Sequence, residues 1–124
     1  MNIDKKLNTT TTFYFEDGTS CEMTLYFYAL YQLRSKNKPL YDRYNKIMSN
    51  NSKGSFDELE QLSVLYVAYL CTNPENPMTE EEFIFKCGCD RRAVGKAFRE
   101  LTTPKKRVDS SNPSLNGRGG KSNA

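Results

Sequence analysis

The chain has no histidine and no tryptophan among its 124 residues. Without an imidazole it lacks the commonest general base, the usual partner of Ser and Cys nucleophiles, and the commonest ligand of catalytic zinc. Long apolar runs are missing too. The longest, from Leu62 to Cys71, is about half of what a helix needs to cross a bilayer. The opening residues, Met-Asn-Ile-Asp-Lys-Lys-Leu-Asn, carry no apolar stretch of the secretory type, so a soluble intracellular protein with no membrane partner is expected. Cys21, Cys71, Cys87 and Cys89 follow no disulfide-scaffold spacing and read as free, partly buried thiols. Cys87 and Cys89 alone are too few for a structural zinc, and no histidine completes the set. These absences point away from an enzyme: the expectation is no catalytic residue, no cofactor and no metal.

Apolar residues and negative charge are also scarce at one end. From Thr103 onward lie five of the 18 Lys and Arg but only one of the 15 Asp and Glu, so this end carries net +4 and the remainder net −1. A segment so poor in apolar residues cannot offset its ordering entropy, and residues 104–124 are expected to form a disordered basic tail. Residues 1–8 are expected to be flexible. The length between allows one domain with a single modest core, over residues 9–103.

What the chain does have is a heavy aromatic load, eight Tyr and seven Phe. The expected fold is mainly α, with an N-terminal β-hairpin followed by a compact bundle of about five short helices. Thr9 to Glu16 is β-branched and aromatic, Phe13 and Phe15 alternate onto one face, and Asp17-Gly18 signals a type I′ turn into a strand ending at Met23. Helices are expected over about 24–35, 39–49, 55–72, 79–87 and 90–102. Thr24 is the expected cap of the first, with Tyr26, Leu30 and Leu33 on its core face and Tyr28 and Tyr31 opposite. Pro39 suits the first turn of the second, whose stripe is Leu40, Tyr44, Ile47 and Met48, and 49–54 reads as a loop. Ser55 with Glu58 forms a capping-box pattern before the third helix, which is apolar nearly all round and therefore central. Thr79 with Glu82 repeats the box, with Met78 and Phe83 as its hydrophobic staple. Gly88 stops the fourth helix, and Asp90 caps a fifth with stripe Val94, Ala97, Phe98 and Leu101.

Several clusters look like chemistry and have simpler readings. Glu80-Glu81-Glu82 complements the positive end of a helix dipole. Gly-Arg-Gly-Gly near the end follows no strand and opens no helix, so it is no phosphate loop. Nothing beside the tyrosines would lower a phenol pKa, so they read as core and contact material. Glu80 to Arg99 has the layout of a helix-turn-helix, with Gly88 in the turn and Val94 and Ala97 placed to pack on the preceding helix. Arg91, Arg92, Lys96 and Arg99 would then reach a phosphate backbone, which gives an alternative reading as a small DNA-binding regulator. Ile84 departs from that motif, standing where a close crossing usually wants a small residue. Pro104-Lys105-Lys106-Arg107-Val108 is a basic string of the kind that is most often simply solvated.

Three stretches together carry a family resemblance: Tyr28 to Met48 (Tyr-Ala-Leu-Tyr-Gln-Leu-Arg-Ser-Lys-Asn-Lys-Pro-Leu-Tyr-Asp-Arg-Tyr-Asn-Lys-Ile-Met), the Leu62 to Cys71 run, and the closing Phe98-Arg-Glu-Leu-Thr-Thr-Pro-Lys-Lys106. Over most of Thr9 to Lys106 the chain resembles the small tail assembly chaperones of long-tailed phages and prophages of Gram-positive bacteria. The resemblance implies a non-enzymatic protein of the bacterial host cytoplasm that holds the tape measure protein, recruits tail tube protein subunits and is absent from the mature virion. It also implies a short form and a ribosomally frameshifted long form, and adjacent Lys105 and Lys106 codons are a natural slippage site. The Ser/Asn/Gly-rich stretch after Val108 departs from the family layout. Partner-binding residues are expected at Tyr28 and Tyr31 and at Lys105, Lys106 and Arg107. Self-association is expected through the Thr9 to Glu16 edge, which has no proline or lysine to blunt it.

Overall fold

Strand alternation and one well-placed glycine make the first element. In the computed structural model, which describes residues 10–50 and 55–103, β1 (Thr11–Tyr14) pairs antiparallel with β2 (Ser20–Met23), with Thr12 opposite Glu22 and Phe13 opposite Cys21. Thr11, Phe13 and Phe15 face inward, and Thr12 and Tyr14 face solvent. The turn differs from the type I′ expectation. The Gly18 amide donates to the Phe15 carbonyl (3.0 Å) and the Phe15 amide to the Thr19 carbonyl (2.8 Å). Gly18 has φ +90°, while Asp17 is not in the positive-φ region. This is a three-residue loop with a glycine bulge, which asks for positive φ at one residue instead of two. Asp17 is freed to accept from the Thr19 amide (2.9 Å) and hydroxyl (2.6 Å), and these bonds hold its carboxyl below the usual carboxylate range.

Five helices follow: α1 (Phe27–Lys36), α2 (Lys38–Asn50), α3 (Glu58–Thr72), α4 (Glu80–Cys87) and α5 (Arg91–Thr102). The mainly α architecture with its N-terminal hairpin is the one expected, and the helix ends fall within three residues of expectation. The expected flexible 1–8, most of the 49–54 loop and the 104–124 tail lie outside the described residues.

The central helix is α3. Val64 to Tyr69 are all buried, and α1, α2, α4, α5 and β2 pack on it. The main core joins Phe13, Phe15, Met23, Val64, Leu65, Phe83, Val94 and Phe98 with their neighbours, and a second cluster joins Leu30 and Leu33 to Val67. Aromatic edges meet at the centre, where Phe83 lies 5.7 Å from Phe15, 5.5 Å from Tyr66 and 5.3 Å from Tyr69, ring centre to ring centre. Such pairs add to the area burial of each ring.

Two caps differ from expectation. The box at the start of α3 uses Asp57 and Glu60, not Ser55 and Glu58: Asp57 Oδ1 accepts the Glu60 amide (2.8 Å) and Glu60 Oε1 accepts the Asp57 amide (3.0 Å). Both pairs have the same spacing, and Phe56 favours the second by packing its ring on Phe98 (4.7 Å, tilted by 60°) in the segment before the helix begins. Thr24 does not cap α1. It is fully buried, its amide donates to the Ala68 carbonyl (3.1 Å), and its hydroxyl accepts the Tyr26 amide (3.1 Å). With its amide held by α3, Thr24 stays outside the helix, which starts three residues later at Phe27. The boxes and caps at Thr79 with Glu82, at Gly88 (φ +66°) and at Asp90 are as expected.

Candidate functional site

The first helix carries the candidate binding face, because three of its exposed residues are aromatic. Ala29, Leu30 and Leu33 are its buried residues, with Leu30 and Leu33 set on Val67 of α3. Tyr26, expected on this face, is instead 47% exposed, because it precedes the helix and helical periodicity does not apply to it. The opposite side holds Phe27, Tyr28 and Tyr31, exposed by 87%, 39% and 58%. Four aromatic side chains therefore lie outside the core within six residues of chain.

This face has internal order. The Tyr28 and Tyr31 rings stack with centres 6.4 Å apart at 22°. Gln32 donates to the Tyr28 hydroxyl (3.3 Å). The Arg34 guanidinium lies 5.8 Å from the Tyr31 ring and 5.8 Å from the Tyr41 ring of α2, bridging the two helices by cation–π attraction. The rings are thus partly fixed by contacts within the chain. The Thr24 bonds tie the start of the helix to α3, and at its end the Asn37 amide closes the last turn by donating to the Leu33 carbonyl (2.7 Å). Beside it opens a cleft of about 230 Å³ lined by Ala29, Leu33 and Lys36 of α1, Leu70 and Cys71 of α3, and Pro77. No acidic residue lies in α1, and Arg34 and Lys36 occupy its last turn, so the face is aromatic and basic.

The expected DNA-contact residues sit elsewhere. Arg92, Lys96 and Arg99 are exposed, and their spacing places them on the side of α5 opposite Val94, Ala97 and Leu101. Arg91 is drawn into an ion pair with Glu58 of α3 (2.8 Å). Val94 and Ala97 do not pack chiefly on the preceding helix, as a helix-turn-helix requires. Helix α5 lies mainly against α3 and β1, because α4 is only eight residues long and the central helix offers more apolar surface. Lys105, Lys106 and Arg107 lie outside the described residues.

The remaining reactive groups are quiet. Burial pushes the Cys21, Cys71 and Cys87 thiols up to about 12, and the Tyr44 phenol likewise to about 12. Among the described residues no group of three or more His, Cys, Asp or Glu side chains is placed to hold a metal ion, and no helix is long and apolar enough to cross a membrane.

Three contacts escaped the sequence reading. The Tyr66 hydroxyl donates to the Met78 carbonyl and the Met78 amide donates to the Tyr69 hydroxyl, each at 2.8 Å, so two core tyrosines satisfy the backbone that leads into α4. Arg43 of α2 forks onto both Glu80 oxygens at 2.7 Å. At the hairpin tip, Lys86 reaches Thr19 (2.9 Å), Asp17 (3.4 Å) and the Phe15 ring (4.7 Å). Nothing in local sequence pairs residues so far apart. No family model, no curated protein and no solved structure matches the chain.

Proposed function

We propose that this chain is a non-enzymatic phage tail assembly chaperone. It holds the tape measure protein and helps recruit tail tube protein subunits, acting as a homo-oligomer in the bacterial host cytoplasm and staying out of the mature virion. The observation that carries the reading is the outer face of α1, where Phe27, Tyr28 and Tyr31 are exposed on an anchored helix beside Arg34. Rigid aromatic side chains give large contact area at low entropic cost, and Tyr and Arg are enriched where binding energy concentrates. A long helical client offers repeated apolar stripes to such a face. The family resemblance of Tyr28 to Met48 points the same way, since this stretch contains the face. Under this reading the codons of Pro104 to Arg107 contain a slippery heptamer, and a minority of subunits carry an alternative tail that recruits tube subunits at high effective concentration.

The test is co-expression with the product of the very long gene expected downstream, followed by affinity capture. Retention of that protein by the wild type and its loss on Tyr28→Ser/Tyr31→Ser supports the reading. Failure to retain it counts against the reading.

A second reading, a small DNA-binding regulator, is favoured by one observation: Arg92, Lys96 and Arg99 share one exposed side of α5. Binding would then weaken steeply with salt in a gel-shift titration. The engagement of Arg91 by Glu58 and the packing of α5 away from α4 make it the lesser reading.

A further inference from the structure

The hairpin has two outer edges, and the helices close only one of them. Along β2, the Glu22 carbonyl accepts from the Thr72 hydroxyl and from Asn73 Nδ2 (3.5 Å), and just beyond the strand the Thr24 amide donates to Ala68. Along β1, the Phe15 amide turns inward to Thr19. Antiparallel pairing alternates, so with Phe13 facing Cys21 the amides and carbonyls of Thr12 and Tyr14 point away from β2. None of these outward groups has a hydrogen-bond partner among the described residues. The next outward amide, that of Glu16, is taken by the Lys86 carbonyl (3.4 Å), which ends the open stretch.

We propose that this edge of β1 pairs antiparallel with the same edge of a second copy of the chain. The register that uses only groups of β1 sets Thr12 opposite the second copy's Tyr14 about a two-fold axis at Phe13, and forms four backbone hydrogen bonds. Three features select a second copy as the occupant. The open groups are self-complementary under a two-fold, as an isologous contact requires. Thr10 to Phe15 contains no charged residue, so two copies meet without like charges, and no lysine, proline or bulge guards the edge. Thr12 and Tyr14 lie together on the exposed face, so the pairing sets a β-branched side chain against an aromatic one across strands. Two hairpins become one four-stranded sheet, with the helices of each copy on its inner side. This interface stands apart from the α1 face and does not depend on the chaperone reading.

The experiment uses the full chain alone. Sedimentation across a concentration series should show a monomer–dimer equilibrium, and amide exchange at Thr12 and Tyr14 should slow by about tenfold or more from dilute to concentrated protein. Tyr14→Pro removes an amide that β2 does not use, so it should give a monomer with unchanged far-ultraviolet circular dichroism. Should that variant unfold, Thr12→Lys places a charge on the exposed face of the same edge and should have the same effect. A wild type that stays monomeric overturns the proposal. So does a dimer whose Thr12 and Tyr14 amides exchange equally fast at both concentrations, or one that persists in either folded variant.

Discussion

Glu16 and Gly88 occupy one site: a β-carbon on Gly88 would overlap the Glu16 carboxylate, whose Oε2 accepts the Cys89 amide at 3.0 Å. The hairpin tip is thereby latched to the turn between α4 and α5, and Gly88 serves both by its positive φ of 66° and by having no side chain. Gly88→Ala is expected to cost roughly 2–3 kcal/mol, from left-handed strain together with displacement of the carboxylate. In a Glu16→Ala background the same substitution should cost about 1 kcal/mol less, because only the strain remains. Urea unfolding of the four proteins measures the coupling. Equal costs in both backgrounds would show that the latch contributes nothing.

The two candidate caps of α3 are separable. Asp57→Ala should lower stability by about 1 kcal/mol, since it removes the acceptor for the Glu60 amide. Ser55→Ala should change stability by less than about 0.5 kcal/mol, because Ser55 is exposed and outside the helix. Thermal melts of the two variants decide the matter, and a reversed order would place the box at Ser55.

Replacing Tyr28 and Tyr31 together by Ser should leave the melting temperature nearly unchanged, within the shift expected for about 0.5–1 kcal/mol. Both lie outside the core clusters, and their rings stack on each other with Gln32 and Arg34 beside them. Leu33→Ala, on the inner side of the same helix, should cost about 2–4 kcal/mol. Similar losses from both would make the tyrosines core residues and remove the candidate binding face.

Thiol titration should divide the cysteines. Cys89 is exposed, whereas Cys21, Cys71 and Cys87 are held near a pKa of about 12 by burial. At pH 8 a group with that pKa is thiolate on the order of one part in ten thousand, and the thiolate is the reactive form. Native protein should therefore react rapidly at Cys89, with the other three reacting only after denaturant is added. Rapid native reaction of more than one thiol would show that the core opens readily.

Much of this architecture was legible in the chain because it rests on local physics. Alternation in Thr11 to Phe15, the all-round apolar run from Leu62, the Thr79 to Glu82 box, and the stop at Gly88 each depend on residues within a few positions of one another. The separation of Tyr28 and Tyr31 from Leu30 and Leu33 follows from helical period alone.

Tertiary structure decided wherever a distant group competes for the same backbone or surface. Ser55 and Asp57 are equivalent caps by spacing, and the packing of Phe56 against Phe98 chose between them. Thr24 has the chemistry of a cap, but the Ala68 carbonyl claimed its amide. The stripe of α5 was visible, yet its packing on α3 and β1 in preference to α4 was not, because apolar periodicity names a buried face without naming what buries it. The Glu16 carboxylate in the turn at Gly88 and the Arg43 fork on Glu80 join residues far apart in the chain. Local sequence determined the elements and their faces; the choice among equivalent partners was made only when the chain closed on α3 and those groups met.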